Sequence, residues 1–214
     1  DPTAGEILYR RANGEVVEMV GEAVRLGYDA VLCPPPFYFR KPPTRGLVEF
    51  YGRVLDASQV PVLAYHIPHL TGIPIDDELL DMIGGHPRLA GVKDSTGDPS
   101  ELRRLVGRCA GRSYFVGSDR LVLAAREAGG SGSITAAASI VPALVVEAAR
   151  GSHGQEALAR VRGLIEEFGL QAAVKALLRH RGFGHYGSRP PLVGLEGDLV
   201  RTTELIGRFE ELIP

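Results

Sequence analysis

Cysteine is scarce in this 214-residue chain, and Cys33 and Cys109 are the only two. They fall in segments that read as a strand and a helix terminus, which excludes a disulfide framework and leads us to expect buried thiols in a reducing, cytoplasmic setting. An excess of one charge is also lacking: 24 basic and 26 acidic residues leave a formal charge of −2, spread over both halves. Nothing supplies the positive surface that nucleic acid or an anionic membrane would need, so a small-molecule partner is the default expectation. No stretch approaches the roughly twenty apolar residues of a membrane span. The opening residues Asp1-Pro2-Thr3-Ala4-Gly5-Glu6 carry neither the basic nor the apolar region of a signal peptide. What is present, 44% hydrophobic and 23% charged residues, suits one globular domain with a full core.

Residues 14 to 27 place Val16, Val17, Met19, Val20, Ala23, Val24 and Leu26 at helical spacing, with Gly27 as a stop. Asp29-Ala30-Val31-Leu32-Cys33-Pro34 follows, a short apolar run closed by prolines, as in a strand buried on both faces. The unit then recurs. Helices over 44 to 57, 76 to 84, 99 to 109 and 119 to 128 precede the runs Val60 to Tyr65, Leu89 to Lys93, Tyr114 to Gly117 and Gly132 to Thr135. Strands alternating with helices at intervals of roughly 17 to 33 residues predict parallel β/α architecture, because parallel neighbours need a crossover. After Pro142 the pattern is wholly helical, over 142 to 150, 153 to 168, 170 to 182 and 197 to 211, with a Gly- and Pro-rich loop from Gly182 to Leu192. This divides the chain into a β/α portion, 1 to 141, and a final helical portion, 142 to 214.

No Gly-x-Gly-x-x-Gly follows the first strand, whereas Tyr65, Lys93, Gly117-Ser118 and Thr135 stand at the C-terminal ends of successive strands, where barrel enzymes keep their sites. That favours a barrel over an open sheet. Lys93 is the residue of most chemical interest. Ending an apolar strand, its amine would point into the barrel mouth, and desolvation would lower its pKa from about 10.4 toward neutrality, giving a nucleophile able to form an imine with a ketone. A structural pairing with Asp94 is the alternative that position alone leaves open. Tyr65 ends the preceding strand and could exchange protons with a ligand bound to Lys93; a packed tyrosine with a satisfied hydroxyl is its alternative.

Together these residues carry a resemblance. Tyr65-His66-Ile67-Pro68-His69-Leu70-Thr71-Gly72, Gly91-Val92-Lys93-Asp94-Ser95-Thr96-Gly97-Asp98, Val116-Gly117-Ser118-Asp119 and Gly129-Gly130-Ser131-Gly132-Ser133-Ile134 resemble, in order and spacing, the dihydrodipicolinate synthase and N-acetylneuraminate lyase family. The likeness runs from about Glu15, through Pro34-Pro35-Pro36-Phe37-Tyr38-Phe39, to Arg189-Pro190-Pro191-Leu192. It implies a (β/α)8 TIM barrel with a C-terminal helical segment, and a metal-independent class I lyase in which Lys93 forms a Schiff base with pyruvate or a longer 2-oxo acid while Tyr65 relays protons. No cofactor beyond that covalent imine is implied. Gly117 and Ile134 would line the ketoacid site through their backbone, and Tyr38 would cross a tight dimer interface in a homodimer or homotetramer.

Two departures bear on substrate and fold. Leu70 stands where the synthases carry an arginine for the second substrate's carboxylate. Because the arginine fork donates two bonds at once to a carboxylate, Leu70 in the pocket disfavours that activity. The expectation is aldol cleavage of a sugar-acid or 4-hydroxy-2-oxo acid to pyruvate and an aldehyde; condensation of the same partners, or a ketoacid-binding homologue without catalysis, are the other readings. The second departure is that only the last five of the family's eight strands are recognisable. Thr3-Ala4-Gly5-Glu6 resembles imperfectly the loop that binds the ketoacid carboxylate, with Thr3 in the place of its first threonine. Five strands alone would leave open edges, so earlier residues or another chain would have to complete the barrel.

Weaker signals remain. His66 and His69 have a His-x-x-His spacing without a third ligand, so no metal is expected and His66 reads as pocket lining. Gly129 to Ser133 precedes a strand rather than a helix, which makes it a tight turn before a phosphate cradle. Arg179-His180-Arg181 suits a helix C-terminus, and Arg40, Lys41 and Arg45 could attract an acidic substrate or simply be solvated.

Overall fold

The computed structural model describes residues 13–38, 41–151 and 154–213. Thr3 and Arg40 therefore lie outside the described residues. The described residues gather into two compact units, one within Asp1–Phe115 together with Ala128–Ser131, the other within Val116–Glu127 together with Gly132–Pro214.

In the first unit, helix α1 (Asn13–Arg25) buries Val16, Val20 and Ala23 along one face. It stops before Leu26, short of the range read from hydrophobic spacing, because Gly27 takes a left-handed φ of 80° and the Tyr28 amide turns back to the Ala23 carbonyl at 3.1 Å. Strands β1 (Val31–Cys33) and β2 (Val62–His66) are buried at every position, which is why they read as unbroken apolar runs. Between them runs α2 (Thr44–Ala57), which buries Leu47, Phe50, Tyr51, Val54 and Leu55. A short α3 (Pro68–Thr71) and then α4 (Asp77–Ile83) lead to β3 (Leu89–Asp94), and α5 (Pro99–Arg108) leads to β4 (Ser113–Val116). Asp76 begins α4 by accepting the Leu79 amide at 2.9 Å, and Asp98 begins α5 by accepting that of Ser100 at 2.7 Å. Replacing Asp76 with alanine should cost about 1 kcal/mol and lower Tm by roughly 2–4 °C in a thermal melt.

Pairing is parallel, with Leu32 opposite Leu63, Cys33 opposite Ala64, Tyr65 opposite Lys93 and His66 opposite Asp94. The register slips once: Val62 faces Leu89 but Leu63 faces Gly91, leaving Ala90 as an extra residue in β3. Gly91 carries the bulge at φ 151°, and a Cβ there would stand 1.8 Å from the Ser113 carbonyl oxygen. The bulge sets the alternation of everything beyond it. Tyr65 faces the cluster of Leu32, Leu63 and Ile67, against which Ala90 and Phe115 pack.

In the second unit a 3-10 turn (Asp119–Leu121) precedes α6 (Val122–Glu127), and β5 (Gly132–Ser133) is two residues long, its successor Ile134 donating to the Val116 carbonyl at 2.9 Å. In the sheet the strands follow chain order, β1-β2-β3-β4-β5. The rest of this unit is helical: α7 (Pro142–Arg150), α8 (Gly154–Glu167), α9 (Leu170–His180) and α10 (Leu199–Leu212). Helix α8 packs on α7, α9 and α10 and buries Leu158, Val161, Leu164 and Ile165. Asp119 is wholly buried; its Oδ2 accepts from Arg162 at 3.1 Å and its Oδ1 has no partner among the described residues. Among the described residues no helix is long and apolar enough to cross a membrane.

Candidate active site

Lys93 is 4% exposed and stands one residue before the end of β3. Its Nζ donates to the Tyr65 phenol oxygen and to Ser95 Oγ, both at 2.8 Å, and those two oxygens are 3.3 Å apart. The three polar atoms thus form a closed triangle. Strand geometry explains it: Tyr65 is the cross-strand partner of Lys93, and Ser95, two residues further along, returns to the same face. The amine also lies 3.9 Å from the centroid of the Tyr65 ring.

Asp94 is not the partner of Lys93. Its Oδ1 accepts from the Thr96 amide at 2.9 Å and the Thr96 hydroxyl at 2.8 Å, and its Oδ2 accepts from the Tyr114 phenol at 2.9 Å. Burial, reinforced by the Asp94 carboxylate, pushes the Tyr114 phenol well above its usual value, so it remains a donor. The hydrogen-bond partners of the Lys93 amine are two hydroxyls, one of which can pass a proton to the other or to a bound molecule.

His66 leaves this cluster. Adjacent strand residues point to opposite faces, and its buried imidazole lies with Asp94 on the side away from Tyr65 and Lys93. There it joins Glu101 and Arg104 in lining a separate cavity of about 410 Å³, with Asp76, Asp77 and Thr96 on the wall. The expected lining role beside the lysine is therefore not met by this arrangement.

Leu70 is 62% exposed on α3, and Tyr38 is exposed beyond β1. Gly117 and Ile134 belong to the second unit, where they follow β4 and β5. His69 is exposed, and no group of three or more His, Cys, Asp or Glu side chains among the described residues could hold a metal ion. Ser131 binds Tyr114 through both its amide (2.8 Å) and its hydroxyl (3.2 Å), so the glycine-rich turn is occupied in anchoring β4. Ser95 is the site residue that sequence reading passed over; its spacing of two from Lys93 within a strand exit was the available signal.

A buried lysine held by two hydroxyls thus stands at the end of a parallel β/α strand, in a chain with the parallel α/β fold of TIM-barrel enzymes. The chain belongs to the dihydrodipicolinate synthetase family, whose sequence model matches residues 11–204. A DapA-like lyase of Chloroflexus aurantiacus is 33% identical over 175 residues, covering 77% of this chain and 58% of its own length. The chain thus spans less than two thirds of that relative. A Ruminococcus gnavus sialic acid aldolase, solved as a catalytic lysine mutant, aligns with TM-score 0.86 and 21% identity over 98% of this chain and 73% of its own. YagE, a prophage protein of the dihydrodipicolinic acid synthase family from Escherichia coli K12 solved with pyruvate, aligns with TM-score 0.84 and 21% identity over 94% of this chain and 72% of its own. At these identities the two structures speak to the fold.

Proposed function

We propose that this protein is a class I aldolase that cleaves a 4-hydroxy-2-oxo acid of the sugar-acid type to pyruvate and an aldehyde, with Lys93 as the Schiff-base residue and Tyr65 and Ser95 as its proton partners. The observation that carries the proposal is the triangle of Lys93 Nζ, Tyr65 Oη and Ser95 Oγ, with both bonds from the amine at 2.8 Å. The free amine attacks the C2 carbonyl and the carbinolamine loses water, for which a hydroxyl beside the nitrogen must deliver a proton to the leaving oxygen. In the resulting iminium the C4 hydroxyl returns a proton to the Tyr65 oxygen that protonated the departing water, the C4 carbonyl forms, and the electron pair of the broken C3–C4 bond enters the enamine as the aldehyde departs. Protonation at C3 and hydrolysis then release pyruvate and restore Lys93.

Two structural relatives support this reading: one is a sialic acid aldolase mutated at its catalytic lysine, and the other was solved in complex with pyruvate. Leu70 supports the cleavage of such substrates over the synthase reaction, because an apolar side chain offers a second carboxylate no fork of donors. We further propose that Gly117, Ile134 and Tyr38 serve as the resemblance implies, with Tyr38 at the contact of a homo-oligomer, and that no metal takes part.

The test is intact-mass spectrometry after incubation with pyruvate and borohydride, with release of pyruvate from a panel of 4-hydroxy-2-oxo acids as its companion. A pyruvyl adduct on Lys93 is expected, and a folded protein that takes none would sink the proposal. Tyr65→Phe should keep the adduct but form it about 10²-fold more slowly, the usual worth of a positioned proton donor; an unchanged trapping rate would remove Tyr65 from the relay.

A further inference from the structure

Tyr65 and His66 are neighbours in β2 that face opposite ways, yet the backbone of His66 reaches the reactive side: its carbonyl accepts the Ser95 amide at 2.9 Å. That bond fixes the residue whose hydroxyl holds the Lys93 amine. His66 is 1% exposed, and its imidazole is gripped from two further elements. Its Nδ1 accepts the Ile75 amide at 2.9 Å, which places the ring proton on Nε2, 3.1 Å from Glu101 Oε2. Arg104 clamps Glu101 from Nε at 3.1 Å and Nη2 at 2.8 Å, donates to the Ile75 carbonyl at 3.0 Å and pairs with Asp77. One neutral imidazole thus ties β2 to the segment before α4 and to α5.

We infer that His66 is a positioning residue for the Lys93 cluster, acting through Ser95: the clamp on its ring holds the end of β2 so that its carbonyl orients the Ser95 hydroxyl between Lys93 and Tyr65. The inference rests on the aldolase reading. It also carries a pH dependence. Burial lowers the pKa of His66, assisted by Arg104, while Asp94 on β3 and Glu101 on α5 oppose the shift. A second ring proton would set an N–H against the Ile75 N–H, two donors facing one another. Since the folded value lies below the unfolded one, about 6.5, this contribution to stability is present above that pH and is lost as pH falls through the window beneath it.

The experiment is the rate of pyruvyl adduct formation on the intact protein at saturating pyruvate, below the melting temperature, with folding checked by circular dichroism. Folded His66→Leu should trap about tenfold more slowly at neutral pH, and Ser95→Ala should slow the wild type about tenfold but add little in the His66→Leu background, because residues in one hydrogen-bonded path are not additive. Asparagine offers Oδ1 where the ring offered Nδ1 and does not titrate. His66→Asn should therefore recover the rate to within about threefold of wild type and lose the acid limb below about pH 6.5. Wild-type trapping by folded His66→Leu, or effects of the two substitutions that multiply, would overturn the inference. If His66→Leu does not fold, an acid limb unchanged in His66→Asn would do the same. A wild type that takes no adduct would overturn the aldolase reading instead, before any variant is compared.

Discussion

Lys93→Ala should take no pyruvyl adduct and should lose pyruvate-forming activity by about 10³-fold or more, equivalent to roughly 4 kcal/mol in the barrier. The assignment is easily mapped, since the chain holds only three lysines, Lys41, Lys93 and Lys175. Lys175 is occupied in donating to the Gly187 carbonyl at 2.5 Å. Lys93→Arg is the sharper control: it keeps a long nitrogen-bearing side chain at the strand end but supplies no free amine, so it too should be untrapped. Neither loss should reflect unfolding. Removing Lys93 leaves Tyr65 and Ser95, 3.3 Å apart, able to bond one another, and the apolar cluster beneath Tyr65 remains. Tm is therefore expected to hold or rise, as happens when a site's requirements are relaxed. An adduct that survives in Lys93→Ala, mapped to another lysine, would remove Lys93 from the chemistry; a collapse in Tm would make its role structural.

Gly91→Ala should be the most damaging single change to stability. The added methyl would meet a backbone carbonyl oxygen at 1.8 Å, and the glycine's φ of 151° is one that side chains rarely tolerate. Neither problem can be relieved by turning a side chain, because the obstacle is β4 itself. Strands β3 and β4 would have to part, which puts the cost at about 4 kcal/mol or more and the fall in Tm at roughly 10 °C or beyond. Any folded remainder should trap pyruvate poorly, because the bulge at Ala90 and Gly91 sets the register that brings Lys93 opposite Tyr65. A melt within about 3 °C of wild type would show that the bulge can move and that the register of β3 is less constrained than its packing suggests.

Much of this was legible in the residues. The alternation of helix and strand was readable because its signals are local: apolar spacing, the prolines after Cys33, the glycine that ends α1. The boundaries shifted where a single capping hydrogen bond decided them, as at Asp76, whose side chain caps α4 instead of belonging to it. Lys93 and Tyr65 stood out as polar residues closing apolar runs. Ser95 did not, because a serine in a polar turn has no contrast with its neighbours. His66 was drawn toward the pocket by its place beside Tyr65, although strand alternation sends adjacent residues to opposite faces.

By itself, then, the sequence determined the parallel β/α class, the family resemblance and the two residues most suited to imine chemistry, since each follows from short-range pattern and residue type. Only the tertiary structure decided that Asp94 serves Thr96 and Tyr114 instead of Lys93, that Ser95 closes the triangle, and that His66 is gripped by Ile75 and Glu101. These partners lie up to 35 residues apart, as His66 and Glu101 do. Their meeting follows a one-residue slip between β2 and β3, where Gly91 allows an approach of the Ser113 backbone that leaves no room for a side chain.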